Sequence, residues 1–381
     1  MNSQPSSAEN ESDRYMADYG LDQTTALHNP ETTQQTRNIS QNNYIGNKID
    51  ETKSDETFRI YCGNPNGLNL GRSGGDWTEY CEQVKRLSVD ALCLFEVNLD
   101  TQKSAVKRKL YDTCQNVFKD HHRLAVASSS VPSTSAYKPG GTLCLTMGNA
   151  SGRVLETGSD PMGRWSYQTL SCKDGRNMTI ISAYQVCEQA ASNNGKKRTL
   201  TASAQQRSIL RQQNRSLSPR KSFIMDMRAF LHAQCAQNNG IFLAGDFNEE
   251  LDESYDGMTK LCSDFNLTDV MYQTIGHDEF ATYIEGSTRL DYALCHDWVH
   301  EALQAAGYEP FQYRTKGDHR NMIFDFDSQK LFGNPVYRLD TPAQREFTAK
   351  DTSCNRIYIE QKHAYLIEHK FGTRMTAIKT E

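Results

Sequence analysis

The chain has 381 residues, of which 42 are Lys or Arg, 47 are Asp or Glu and 37% are apolar. At about 100–200 residues per domain, that length allows two or three domains or one large α/β domain with tails, and the low apolar fraction predicts an unpacked segment. Residues 1–56 contain 4 basic and 10 acidic residues, leaving 38 basic and 37 acidic residues in 57–381. Residues 57–381 are therefore nearly neutral, and their net charge does not predict a nucleic-acid partner. Such a partner has to be argued from local charged patches.

The 11 cysteines are odd in number and form no CxxC pair, which disfavours a disulfide framework or a zinc knuckle. Reduced thiols are typical of intracellular compartments. The first residues lack a basic segment followed by an apolar one, so we expect no secretory signal. No apolar run approaches the ~20 residues that span a bilayer. We expect an intracellular protein, nuclear or cytoplasmic, with no membrane partner.

The first ordered elements are predicted after a polar N-terminal segment. Residues 1–56 are rich in Asn, Gln, Ser and Thr and are predicted to be disordered, because they have little apolar surface to offset the entropy of ordering. A strand is predicted at Phe58–Cys62, then an amphipathic helix over Trp77–Leu87 and a doubly buried strand at Ala91–Phe95. Further strands are predicted at Arg123–Ala127, Thr142–Thr146, Trp165–Ser171 and Met178–Tyr184.

The stretch 189–225 contains eight basic residues and no acidic one: Lys196, Lys197, Arg198, Arg207, Arg211, Arg215, Arg220 and Lys221. A helix over Phe223–Cys235 is predicted next, followed by a strand at Ile241–Ala244. Further short strands are predicted at Ala281–Ile284, Leu290–Cys295 and Met322–Phe326. Strands mixed with helices predict an α/β domain over 57–328 with a basic insert at 189–225, and a helical extension over 329–381.

Four acidic residues lie at the ends of predicted strands or within them, where a sheet would hold them rigidly. They are Glu96, Asp246, Asp291 inside its apolar strand, and Asp318 just before a strand. Several carboxylates brought together form a hard, oxygen-rich site, which suits Mg²⁺ or Mn²⁺ better than zinc. Asp291 needs a partner because an ionised carboxylate in an apolar strand is costly, and His319 is the obvious candidate. We therefore predict a cation site with a neighbouring carboxylate–imidazole pair.

These segments, in this order, resemble the endonuclease/exonuclease/phosphatase family, which has the DNase-I-like fold. The matching stretches are Asn64-Pro65-Asn66-Gly67-Leu68, Cys93-Leu94-Phe95-Glu96, Gly140-Gly141-Thr142-Leu143, Ser182-Ala183-Tyr184, Gly245-Asp246-Phe247-Asn248, Arg289-Leu290-Asp291-Tyr292 and Gly317-Asp318-His319. They extend over residues 58–328. The resemblance implies a four-layer α/β sandwich, in which two mixed β-sheets pack face to face between helices and the site lies at one end.

The resemblance also implies a role for each matching residue. Glu96 would be the principal ligand of Mg²⁺ or Mn²⁺, with Asp318 and Asn64 beside it. The catalytic residues would be Tyr184 at the scissile phosphate, Asp246 orienting or deprotonating the attacking water, Asn248 donating to the phosphate, and His319, paired with Asp291, stabilising or protonating the phosphate oxygens.

The basic stretch is the predicted phosphate-backbone contact, through Lys196, Lys197, Arg198, Arg207 and Arg211, although charge runs are usually solvated faces. Each phosphate contact would steepen the log–log salt dependence of binding by about 0.9 for B-DNA. Within the family, Gly317-Asp318-His319-Arg320, the insert and the helical extension resemble the endonuclease domains of retrotransposon polyproteins.

The preferred prediction is a divalent-metal phosphodiesterase that cleaves DNA as an endonuclease. One alternative is the same scaffold acting on RNA, on lipid phosphates or on inositol phosphates, because the core motifs contact the phosphate and not the leaving group. A second is an inactive relative that binds nucleic acid, which is motivated by Gly63, Phe95 and Gly317 at positions where the family usually has other residues. The oligomeric state is left open.

Overall fold

The computed structural model of the chain describes residues 43–71, 75–119, 121–187, 200–251, 256–333 and 352–371. In chain order, the strands within these ranges are β1 (Ile45–Gly46), β2 (Thr57–Gly63), β3 (Ala91–Phe95), β4 (His122–Ala127), β5 (Thr142–Met147), β6 (Val154–Ser159), β7 (Trp165–Ser171), β8 (Asn177–Tyr184), β9 (Asn239–Asp246), β10 (Leu267–Asp269), β11 (Asp291–His296), β12 (Leu303–Tyr308) and β13 (Met322–Asp327). The α-helices are α1 (Gly75–Arg86), α2 (Ser104–Phe118), α3 (Ala202–Gln212), α4 (Pro219–Ala236), α5 (Met258–Phe265), α6 (Val270–Ile275), α7 (Asp297–His300), α8 (Ser328–Phe332) and α9 (Thr352–Glu368).

The strands form two mixed sheets. The first has the order β1-β12-β13-β2-β3-β5-β4 and the second β10-β11-β9-β8-β7-β6. Each sheet contains one parallel pair, β2 with β3 and β8 with β9, and its other neighbours are antiparallel. The carboxyl ends of the parallel strands are therefore the edges at which polar residues from consecutive strands meet.

Three apolar cores separate four layers. The central core lies between the sheets and includes Phe95 from the first and Phe242 from the second. A second core packs α1 and α2 on the outer face of the first sheet, with Trp77 fully buried. A third packs α4 on the outer face of the second sheet through Phe223 and Leu231. The predicted fold class, a four-layer α/β sandwich, is confirmed.

Helices of the basic stretch begin at hydrogen-bonded caps. The Thr201 side chain accepts from the Ala204 N–H at the start of α3. The Ser218 side chain accepts from the Lys221 N–H at the start of α4, where Pro219 occupies the first helical position. Such caps satisfy N–H groups that the helix itself leaves free. The predicted helix over Phe223–Cys235 therefore begins earlier than its apolar pattern indicated.

Several stretches differ from the sequence prediction. The strand predicted at Ala281–Ile284 is only an isolated bridge, between Tyr283 and His319, because the antiparallel ladder does not continue. Secondary structure already occurs at Ile45–Gly46, before the predicted start at Phe58, because this short edge strand pairs with β12 and Ile45 packs against the central core. The helix Ser104–Phe118 and the strand β12 were not predicted.

No helix in the described part of the chain has both the length and the apolar character needed to cross a membrane.

Candidate active site

One row of polar side chains crosses three neighbouring strands of the second sheet. Tyr184 at the end of β8 pairs with Asp246 at the end of β9, and Asp246 pairs with Asp291 at the start of β11. Directly paired residues present their side chains on the same face of a sheet, so the three groups are neighbours. All three are buried. The strand ends thus bring together residues up to 107 positions apart, as the numbering from Tyr184 to Asp291 shows.

A single amide joins this row to the first sheet. The buried Asn64, which follows β2, donates from Nδ2 to Asp246 Oδ2 at 3.0 Å and to Glu96 Oε2 at 3.3 Å. Glu96 follows β3 of the first sheet. Its carboxylate and that of Asp246 therefore both lie within hydrogen-bond reach of one nitrogen. Residues at or just after the ends of strands from both sheets thus meet at one place.

The backbone at Glu96 has an unusual conformation. Its φ is +50°, in the left-handed region that a side chain with a Cβ rarely occupies. Glu96 O accepts from Gly67 N at 2.9 Å, and the following Val97 N–H donates to Gly141 O at 3.1 Å. Gly141 itself has a φ of +86°, and a Cβ there would lie 2.7 Å from the Ala127 oxygen. The surrounding hydrogen bonds hold Glu96 in a conformation that costs about 1–3 kcal/mol, a form of strain that is common at functional sites.

Asp291 and His319 form the predicted pair. The His319 Nδ1 lies 2.7 Å from Asp291 Oδ2, and both side chains are buried. Burial alone would lower the pKa of His319, but the negative charge of Asp291 and its hydrogen bond outweigh burial and, together with Asp246 and Asp318, raise the pKa to about 10. The imidazole is therefore protonated at neutral pH. An imidazolium is a hydrogen-bond donor at both nitrogens and has no lone pair for a metal.

Asp246 lies between like charges in a buried position. Burial, followed by the negative charge of Asp291, raises the pKa of the Asp246 carboxyl well above its ordinary value. Its Oδ1 accepts from the Asn248 N–H at 3.1 Å, which fixes the carboxylate plane. A carboxylate with a raised proton affinity, held rigidly, is suited to accept a proton from water.

The side chains of Tyr184 and Asn248 both form hydrogen bonds within the protein, which the sequence prediction did not anticipate. Burial, followed by the charge of Glu96, raises the pKa of the Tyr184 phenol well above its ordinary value, so it stays protonated and hydrogen-bonds to Glu96. The Asn248 Nδ2 donates to Gln185 O at 2.8 Å, and its Oδ1 accepts from the Cys187 thiol at 2.7 Å. In this state Tyr184 orients Glu96, and the amide of Asn248 is engaged at both ends.

The acidic residues fit a divalent cation. The Asp318 Oδ2 accepts from Asn66 Nδ2 at 2.9 Å, whereas its buried Oδ1 has no partner among the described residues, and neither does the buried Asp291 Oδ1. Burial raises the pKa of Glu96, and the nearby charge of Asp318 raises it further. Unpaired carboxylate oxygens are costly when buried, and a bound cation relieves that cost. Glu96 and Asp318 are suitable ligands, while the Asn64 amide is already engaged by Glu96, Asp246 and the Asn66 N–H.

A second grouping of ligand atoms includes the pair itself. One ligand atom from each of Asp246, Asp291 and His319 lies within 4.8 Å of the other two. Because the His319 Nδ1 is hydrogen-bonded to Asp291 Oδ2, we interpret this grouping as a proton-transfer and charge-stabilising cluster.

Stability should depend on pH in a direction set by these groups. The raised pKa of Asp246 means that the folded chain binds its proton more tightly than the unfolded chain does, so stability falls as pH rises above the usual Asp range. The raised pKa of His319 acts in the same direction between the ordinary value of 6.5 and about 10. We expect the Tm in EDTA to fall from pH 5 to pH 9, and to fall less steeply in Asp246→Asn, as measured by thermal unfolding. Equal slopes in the two proteins would contradict this electrostatic account.

Two of the five residues predicted to contact nucleic acid lie within the described part of the chain. Lys196, Lys197 and Arg198 lie outside the described residues. Arg207 and Arg211 lie on α3, where Arg211 is exposed and Arg207 is half-buried. Arg220, from the same basic stretch, instead donates to the backbone oxygens of Asn248 and Val186 and to Glu249. That contact places the start of α4 beside the active site.

Sequence reasoning missed three residues that support the site. The buried Thr282 accepts at Oγ1 from the N–H groups of Leu290, at 2.9 Å, and Asp291, at 3.1 Å. Asn66 holds Asp318, and Gln185 donates to Glu249 while its carbonyl accepts from Asn248. Asn66 lies within a matched motif and Gln185 directly follows one, which was a usable signal. Thr282 lies in a stretch with no motif, and nothing in its local sequence distinguishes it.

No protein-family model matches the sequence, and no curated protein matches it. Solved structures do match. The AP endonuclease LMAP from Leishmania major is similar with a TM-score of 0.52 and 15% sequence identity, over 74% of this chain and 92% of that chain. The chain has the DNase-I-like fold.

Other structures are similar to parts of this DNase-I-like chain. The 3′–5′ exonuclease NExo from Neisseria meningitidis has 17% identity and a TM-score of 0.46, covering 71% of this chain and 100% of that one. The endonuclease domain of TRAS1, a telomere-specific non-LTR retrotransposon, has 10% identity and a TM-score of 0.43, covering 71% and 98%. The comparison with the Leishmania major structure establishes the fold alone, so the activity has to be argued from the site itself.

Proposed function

We propose that this chain is a divalent-metal-dependent phosphodiesterase that hydrolyses DNA as an endonuclease. One observation carries the proposal: the Asn64 amide bridges Glu96 and Asp246 across the two sheets, beside the Asp291–His319 pair. This arrangement supplies a cation ligand, a proton acceptor and an imidazolium in one buried cluster. Those are the groups that hydrolysis of a phosphodiester requires.

Each residue has a separate task in the proposed reaction. Asp246 accepts the proton of the attacking water, and its raised pKa favours that transfer. His319 stays protonated through its contact with Asp291 and stabilises the negative oxygens of the phosphate. Glu96, held by Asn64 and Tyr184, and Asp318 would hold Mg²⁺ or Mn²⁺, which neutralises phosphate charge when bound. Asn248 fixes the Asp246 carboxylate through its backbone N–H.

DNA is the preferred substrate because the basic stretch adjoins the site. Arg220 reaches the Asn248 backbone, and Ala202, the first residue of the helix α3 that carries Arg207 and Arg211, lies close to Gly140, as does the Tyr184 ring. Cationic side chains contribute sequence-independent contacts to a phosphate backbone. A relation to retrotransposon endonuclease domains rests on the sequence of Gly317–Arg320 and its neighbours.

Removing the metal tests the proposal directly. We expect the purified chain to nick supercoiled plasmid in Mg²⁺, to stop in excess EDTA because the phosphate charge is no longer neutralised, and to resume when Mg²⁺ is restored. Gel electrophoresis measures nicking, and mapping of the product ends identifies the bond that breaks. RNA and an inositol phosphate are assayed in parallel.

Hydrolysis of RNA or of the inositol phosphate without DNA nicking would replace the DNA assignment with another phosphoester. DNA binding with no Mg²⁺-dependent turnover of any of these substrates would favour an inactive relative. Nicking that persists unchanged in EDTA would refute the metal dependence.

A further inference from the structure

A cavity of about 450 Å³ adjoins the active site on the side of the first sheet. Its wall includes Pro65, which lies between Asn64 and Asn66, and Lys316, which lies two residues before Asp318. At both places the chain therefore runs directly from the cavity wall to a residue of the active site. Small-molecule sites occupy about 300–1,000 Å³, so the volume suffices for one nucleobase with its sugar.

Tyr313 provides a flat wall of this cavity. The side chain is 52% exposed although the ring is held in place. The guanidinium of Arg314 lies 5.0 Å from the ring centroid, and the ring of Tyr44 meets it edge-on at 5.6 Å. Arg314 is in turn anchored by an ion pair with the buried Glu309. The Arg314 contact covers one face of the ring, and a fixed aromatic side chain that stays half exposed is the type of platform on which nucleic-acid bases stack.

The charges of the cavity wall favour a base over a phosphate. Arg314 is already paired with Glu309, and Lys316 lies 3.6 Å from Asp76 and 3.5 Å from Glu79. No cation of the described wall is therefore without an acidic neighbour. Carboxylates repel a phosphate, whereas they accept hydrogen bonds from the amino groups of bases.

We propose that this cavity binds the base of the nucleotide next to the scissile phosphate, with the base stacked on Tyr313 and its amino group facing Asp76 or Glu79. The proposal rests on the proposed function, which it extends from phosphodiester chemistry to base selection. Adenine, cytosine and guanine carry an exocyclic amino group and thymine does not. The cavity thus selects against thymine at one position beside the cleaved bond.

Stacking is tested by binding, without hydrolysis. The probe is a short single-stranded oligonucleotide containing 2-aminopurine, whose fluorescence is quenched on stacking, titrated with the full chain in EDTA. We expect quenching with the parent and with Tyr313→Phe, and a rise in Kd of about 5- to 100-fold with loss of quenching in Tyr313→Leu. Tyr272→Leu is the matched control, because Tyr272 is 44% exposed and lies on α6, away from the cavity wall.

Base selection is tested in the cleavage assay. Asp76→Asn combined with Glu79→Gln should raise the share of mapped ends that have thymine beside the cut. Equal binding by parent and Tyr313→Leu, with thermal unfolding showing both folded, would overturn the cavity proposal even if the chain nicks DNA. Tyr313-dependent quenching in a chain that hydrolyses nothing would support the base cavity and refute the proposed catalysis.

Discussion

Replacing His319 with Ala is expected to reduce plasmid nicking by about 10²–10⁴-fold, the usual contribution of one positioned acid or base. The imidazolium contacts the carboxylate cluster through Asp291, and its loss would leave the phosphate oxygens without that donor. Asp246→Ala should cause a loss of the same order, because the water then lacks its proton acceptor. The measurement is the initial rate of nicking in saturating Mg²⁺.

A histidine outside the site provides the control. His277 is exposed and contacts the ring of Phe280, so His277→Ala removes the same side chain without touching the cluster. It should nick at the parental rate. Parental rates in both His319→Ala and Asp246→Ala, in proteins with cooperative thermal unfolding, would show that this cluster is not the catalytic site.

Replacing Asp291 with Asn is expected to reduce nicking at pH 8 by about 10²–10⁴-fold and also to change its pH dependence. Burial lowers the pKa of His319, and the charge of Asp291 makes the largest opposing contribution, bringing it to about 10. Without that charge the pKa falls. The reaction needs the imidazolium, which exists below the pKa, so the alkaline decline of the rate should move to lower pH.

The pH–rate profile separates this effect from simple damage to the fold. A merely structural role for Asp291 would lower the rate equally at every pH and leave the alkaline limb in place. Asp112→Asn, a change of the same kind on the exposed face of α2, should reproduce the parental profile. An alkaline limb at the parental position in Asp291→Asn would contradict the assignment of the pair.

The parts of the site that could be predicted from sequence are those set by local pattern. Continuous apolar runs located β3 and β9 and hence the carboxylates at their ends, Glu96 and Asp246. The cost of an ionised group inside an apolar strand identified Asp291 and directed attention to His319. These inferences needed no knowledge of how the sheets pack.

What could not be predicted depends on packing between distant segments. The Asn64 amide bridges two carboxylates only because the ends of β2 and β3 in one sheet lie beside the end of β9 in the other. The Thr282 hydroxyl reaches two N–H groups that lie eight and nine residues further along the chain. The helix Ser104–Phe118 was overlooked although its buried residues Val106, Leu110, Cys114 and Val117 have helical spacing. A two-residue strand such as β1 has no periodicity to detect.

The contact of Asn64 with two carboxylates makes the proposed activity depend on how the two sheets pack together. Glu96 is supplied by one sheet and Asp246, with Asp291, by the other, so neither half of the sandwich holds a usable fragment of the catalytic centre. Any loosening of the central apolar layer that lets the sheets slide apart would disassemble the centre before either sheet melts. Catalytic activity would thus report whether the two sheets remain packed together. On warming, it should be lost at a lower temperature than the strand content measured by spectroscopy.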